Sequence, residues 1–128
     1  MTTTGLAKWY GFMASHDRAA LWELLHPDAV FESPVVHTPQ RGRDITFKYL
    51  SSAEKVLGGS GFNYVGEWLN ATSAVLEFEN QIEDVKLNGV DIITFDAEDR
   101  ITHFKVMVRP LKAVNLLHRL MGEQLAKP

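Results

Sequence analysis

An α+β fold follows from three features of the chain. Apolar residues recur every three or four positions through the first half, alternate along the second half, and return to helical spacing after Pro110. Helices followed by an antiparallel meander pack on one face of a curved sheet. At 128 residues the chain is expected to form a single domain, 1-128, with a core large enough to enclose one internal apolar pocket.

The first helix shows one face through Leu6, Trp9, Tyr10 and Met13 and ends near Ser15. Asp17 reads as the N-cap of a second helix, with Ala20, Leu21, Leu24 and Leu25 as its buried stripe and Pro27 limiting its length. Residues 28–31 then lead into a short strand. Pro34 and Pro39 cannot donate backbone hydrogen bonds, so the segment they bracket is expected to be an irregular rim rather than a central strand. Asp44 resembles an N-cap for a third helix carrying Ile45, Tyr49, Leu50, Ala53 and Leu57, which the run Gly58, Gly59, Ser60, Gly61 breaks.

The second half reads as strands. Ala74, Leu76 and Phe78 alternate with Val75, Glu77 and Glu79, and Phe104, Val106 and Val108 alternate with His103, Lys105, Met107 and Arg109. Each strand therefore has one wet face. Asn88-Gly89 has the composition of a tight turn, but the favoured reading is a bulge inside one long strand from 85 to 95, with Glu83-Asp84 as the hairpin turn. Residues 96–100 form a polar turn. Pro110 ends the last strand before a closing helix with Leu111, Val114, Leu117, Met121 and Leu125 on one side and Leu116 and Leu120 widening that surface.

Composition excludes several functions. The net charge of −3 and the absence of any long basic run argue against nucleic acid as a partner. With no cysteine there is no disulfide framework, thiolate nucleophile or Cys-ligated zinc. No apolar stretch approaches the roughly 20 residues that span a bilayer, so no membrane partner is expected and a soluble cytoplasmic protein is. His16, His26, His37, His103 and His118 have no metal-ligand spacing, and the pair Glu32 and His37 lacks a third ligand, so no metal site or cofactor is expected. Ser33 and His37 can be written as part of a triad, but sequence supplies neither a base in reach nor an oxyanion hole.

The helix order, the segment DAVFESP at 28–34, the segment DIITFD at 91–96 and the strand ending in Arg109-Pro110 resemble the nuclear transport factor 2-like superfamily, which includes SnoaL-like and ketosteroid isomerase-like proteins. The resemblance covers nearly the whole chain. It implies a cone-shaped, curved antiparallel sheet wrapped around about three N-terminal helices, plus a C-terminal helix, in a homodimer whose cavities open at one end. Aligned with the ketosteroid isomerases, their catalytic Asp falls on Ser33, their hydrogen-bonding Tyr on Trp9 with Tyr10 beside it, and their protonated Asp on Asp91. A serine hydroxyl without its own base cannot take a proton from carbon at neutral pH, and Glu32 points to the opposite face of the strand.

These readings converge on a pocket for a small apolar or polycyclic molecule bearing a carbonyl or hydroxyl. Asp91 is the candidate catalytic acid, with its pKa raised if it is buried among Ile93, Phe95 and Phe104. Trp9, Tyr10, Met13, Trp22, Phe31, Ser33, Trp68, Ile93, Phe104 and Val106 are the candidate ligand contacts. The chemistry, if any, is an isomerase, dehydratase (lyase) or hydrolase step. The alternative is a non-catalytic dimerisation or interaction module whose cavity is filled by its own side chains. In either case the outer sheet face, with Glu77, Glu79, His103, Lys105, Met107 and Arg109, is where a second copy is expected to bind.

Overall fold

In the computed structural model, which describes residues 2–127, the helical spacing of the first half becomes three helices and the alternation of the second half becomes four long strands. Helix α1 (Thr2–Ser15) buries Leu6, Trp9 and Phe12. Phe12 therefore occupies the centre of the stripe, while Tyr10 and Met13 lie at its margins and are only partly buried. His16 closes the helix in a left-handed conformation (φ 58°), its N–H bonded to the Phe12 carbonyl at 2.8 Å.

Asp17 caps α2 (Arg18–Leu24) as expected, accepting the Ala19 N–H at 3.0 Å. The helix is shorter than the sequence suggests. Leu21 and Leu24 are buried but Ala20 is exposed, and Leu25 already belongs to β1 (Leu25–Glu32), so Pro27 lies within a strand instead of ending a helix. Residues 33–39 form the irregular rim, and the two-residue strand β2 (Gln40–Arg41) pairs back on β1.

Helix α3 (Arg43–Leu57) is capped by Gly42 at φ 112°, not by Asp44, which falls in its first turn. That φ lies where glycine carries no Cβ penalty, so the backbone turns into the helix two residues earlier than a cap at Asp44 would place it. The helix is fixed to β1 by Thr46, whose buried hydroxyl donates to the Ala29 carbonyl at 2.9 Å.

Strands β3 (Asn63–Leu69), β4 (Ser73–Ile82), β5 (Val85–Phe95) and β6 (Ile101–Arg109) form the antiparallel meander. The sheet order is β2-β1-β6-β5-β4-β3, and β1 runs parallel to β6, so the six-stranded curved sheet is mixed where an all-antiparallel one was expected. Glu83 and Asp84 both take positive φ (50° and 65°) in a two-residue hairpin turn.

The expected bulge at Asn88-Gly89 is absent. Both residues stay in regular register between β4 and β6, and the irregularity on β5 falls between Thr94 and Phe95. Gly89 is required for packing: a Cβ there would lie 2.5 Å from the Phe78 ring and 2.4 Å from the Met107 carbonyl oxygen. The concave face carries Ala74, Leu76, Phe78, Ile93, Phe95, Phe104 and Val106, all buried. Helix α4 (Leu111–Leu125) closes the fold through Ala113, Leu116 and Leu117. Leu111, expected on the buried side, is 73% exposed because the contact face is centred on Ala113 and Leu117, and Ala113 lies two residues, about 200°, round the helix from it. No helix among the described residues is long and apolar enough to cross a membrane.

Candidate functional site

Asp91 lies in the middle of β5, between Leu76 of β4 and Val106 of β6, and its two-residue spacing from Gly89 and Ile93 turns it to the concave face. It is 6% exposed. Tyr64, on β3 opposite Phe78, reaches across to donate its hydroxyl to Asp91 Oδ2 at 2.5 Å. The same hydroxyl accepts the indole N–H of Trp9 at 3.0 Å. Three side chains, successive members 55 and 27 residues apart, thus form one relay, Trp9 to Tyr64 to Asp91.

Burial pushes the Asp91 carboxyl up to about 7, against the opposing effect of the Tyr64 hydrogen bond. Burial and the adjacent Asp91 charge push the Tyr64 phenol upward, so Tyr64 keeps its proton and remains a donor. A small apolar cavity of about 30 Å³ adjoins the relay, lined by Trp9, Met13, Leu50, Ala53, Glu54, Leu57, Gly58, Phe62, Phe78, Asp91, Phe104 and Val106. A second cavity of about 20 Å³ shares Ala53, Leu57 and Val106 with it and extends under α4 to Phe31, Ser33, Leu117 and Met121.

Of the residues singled out from sequence, Asp91, Trp9, Met13, Phe104 and Val106 line the first cavity, and Phe31 and Ser33 line the second. Ser33 Oγ accepts the Val35 N–H at 3.0 Å, which holds the turn at Pro34. Four residues lie elsewhere. Tyr10 packs its ring edge-on against Tyr64 at 5.7 Å but stays outside the relay and donates to Glu67 Oε2 at 2.5 Å, because α1 points Trp9 inward and Tyr10 is one position, about 100°, further round. Trp22 packs edge-on against Phe47 and under the Arg43 guanidinium, 4.3 Å from its ring centroid. Trp68 is 58% exposed on β3, and Ile93 is sealed in the core opposite Phe104.

Tyr64, Phe62 and Glu54 were missed. Tyr64 had a signal, since a phenol in an apolar strand needs a partner for its hydroxyl. Glu54 also had one, being four residues after Leu50 and so on the same helical face as the apolar stripe. Glu32 does point to the opposite sheet face, where it meets His103 and Lys105. Among the described residues no three His, Asp or Glu side chains converge in a way that would hold a metal ion, and no buried side-chain polar atom lacks a hydrogen-bond partner.

Residues 6–104 match the family model for the SnoaL-like domain. The fold superposes on a steroid delta-isomerase from Pseudomonas aeruginosa with a TM-score of 0.91 and 38% identity, covering 98% of this chain and 91% of that one. A Silicibacter pomeroyi DSS-3 protein with a cystatin-like fold matches at 0.85 and 28% identity, covering 94% of this chain and 84% of that one. An NTF2-like protein of Mesorhizobium loti, 20% identical at a TM-score of 0.71 over 85% of this chain and 91% of that one, shares the fold alone. None of the curated proteins matches the chain. The family match over most of the sequence and the agreement in fold lead to one conclusion: this chain belongs to the SnoaL-like domain family.

Proposed function

We propose that the protein binds an apolar, ring-containing ketone or phenol in the cavity beside Asp91, and that its chemistry is an isomerase-type proton transfer next to the ligand's carbonyl. The observation that carries this reading is the Trp9–Tyr64–Asp91 relay ending at a small apolar cavity, whose walls must part to admit a ring. Tyr64 occupies Oδ2 of Asp91. A proton on Oδ1 is then the polar group a ligand oxygen meets among hydrocarbon walls, and few polar groups in an apolar pocket fix orientation.

A carboxyl raised to about 7 is protonated in a large fraction of molecules at neutral pH and donates without being consumed. Where charge develops on a ligand oxygen, that fixed donor stabilises the transition state more than the ground state. The 38% identity with a steroid delta-isomerase supports a ketone of that general size and an isomerisation.

The test is a fluorescence titration with 2-naphthol, a rigid two-ring phenol that mimics an enol. The wild-type chain is expected to bind it saturably. Asp91→Leu, which keeps an apolar wall and removes the donor, is expected to weaken binding by about tenfold or more, in line with a hydrogen bond to a charged or acidic group. Equal affinity in the two proteins would remove Asp91 from the ligand site.

A further inference from the structure

The first cavity is lined by two ionisable side chains, Asp91 and Glu54. We propose that Glu54 is the proton acceptor of this site, positioned by His16 at the cavity mouth; this rests on the pocket reading above. Ser33 is committed to the Val35 N–H and lines the neighbouring cavity, so the second carboxylate beside Asp91's cavity comes from α3.

Glu54 follows Leu50 by one helical turn and precedes Leu57, so it shares their inward side. Its side chain is 14% exposed and its Oε1 pairs with His16 Nδ1. His16 itself is held by the left-handed junction between α1 and α2. It lines an open cleft with Tyr10, Met13, Gly58, Phe62 and Tyr64, and that cleft shares Met13, Gly58 and Phe62 with the cavity. The pair thus stands where the cleft enters the apolar chamber.

Gly58 keeps that space clear. A Cβ on Gly58 would lie 3.3 Å from Glu54 Oε1 and 2.5 Å from the Glu54 carbonyl oxygen. With Oε1 engaged by His16, Oε2 is the oxygen left for a ligand. A carboxylate fixed on one oxygen and free on the other meets the geometric demand on a general base.

The step balances within the ligand and these two groups. The C–H bond next to the carbonyl breaks, its proton moves to Glu54, and its electron pair forms a carbon–carbon double bond as the carbonyl oxygen becomes an enolate. Asp91 holds that oxygen by a hydrogen bond. Return of the proton to the same carbon regenerates the ketone, and return to a conjugated carbon moves the double bond. No oxidant or reductant enters.

The test measures deuterium exchange into 2-tetralone in D₂O by mass spectrometry, alongside 2-naphthol binding to the same proteins. The wild type is expected to exchange the α-protons above the buffer rate. Glu54→Gln is expected to slow this by about 10²–10⁴-fold, the usual contribution of a positioned base, with 2-naphthol affinity kept within about twofold. His16→Gln is expected to show a smaller loss of the same kind. Exchange in Glu54→Gln equal to wild type, or no exchange in a wild type that binds 2-naphthol, would overturn the role of Glu54 and leave the pocket standing. Loss of 2-naphthol binding together with exchange in Glu54→Gln would make the pair a structural latch and overturn the proposal. A wild type that binds no 2-naphthol would remove the pocket reading and this one together.

Discussion

Asp91 and Glu32 lie on strands of one sheet and each meets a partner at 2.5 Å, Asp91 through Tyr64 and Glu32 through His103, yet their acidities move in opposite directions. On the concave face burial outweighs the phenol's hydrogen bond and Asp91 rises to about 7. On the convex face desolvation is the largest single effect, but the His103 hydrogen bond and the charges of Lys105 and His103 together outweigh it, and Glu32 falls below its ordinary value. The presence of a short hydrogen bond therefore does not set the protonation state. The dielectric around it and the charge of the donor do.

The largest expected effect that sharpens this contrast is on stability against pH. The folded-state value for Asp91, about 7, lies above its ordinary 3.8, so protonation favours the fold. That contribution is fully present below about 3.8 and is lost as pH rises through about 7. The shift corresponds to an upper limit of about 4 kcal/mol across the window. In urea denaturation at pH 4 and pH 8, the stability difference between wild type and Asp91→Asn is expected to change towards that limit, with the variant favoured at the higher pH. A difference that stays flat with pH would place Asp91 in a solvated environment and erase the contrast.

Tyr64→Phe is expected to act more weakly. It removes the hydrogen bond that opposes the rise, so Asp91 should titrate above about 7 by carboxyl ¹³C NMR. It also leaves the buried indole N–H of Trp9 without its acceptor, and the two losses together should lower stability by about 1–3 kcal/mol. An unchanged Asp91 titration would mean that the phenol does not govern it.

Glu32→Gln has the smallest expected effect and the opposite pH sense. Because its acidity is strengthened in the fold, its contribution is present above about 4.5 and disappears as pH falls through the depressed value. The urea midpoint at pH 7 should barely move, and the difference should vanish in about 1 M salt, where exposed charges are screened within about 3 Å. A large shift at pH 7 that survives high salt would show that the convex pair is shielded like the concave one.

Much of the site's setting was legible from local pattern. Alternation alone put Asp91 on the same face as Ile93 and Glu32 on the face away from the cavity. Turn composition placed Glu83-Asp84 at the hairpin, and Asp17 declared itself as a cap. What failed were inferences that needed a neighbour. Asn88-Gly89 looked like a bulge, but the glycine answers to the Phe78 ring and the Met107 carbonyl on adjacent strands. Trp22 looked like a cavity wall, but Arg43, 21 residues away, holds it elsewhere.

The sequence by itself determined the α+β class, the order of helices and strands, and which residues of each strand face inward, because periods of 3.6 and 2 are properties of a single element. Only the tertiary structure decided that β1 runs parallel beside β6, that Tyr64 rather than Tyr10 completes the relay with Trp9 and Asp91, and that Glu54 and His16 meet at the cavity mouth. These pairings depend on strand register, on the rotation of α1 about its axis and on how far α3 lies from the sheet. No local spacing encodes those quantities, which are fixed when the curved sheet closes on its helices.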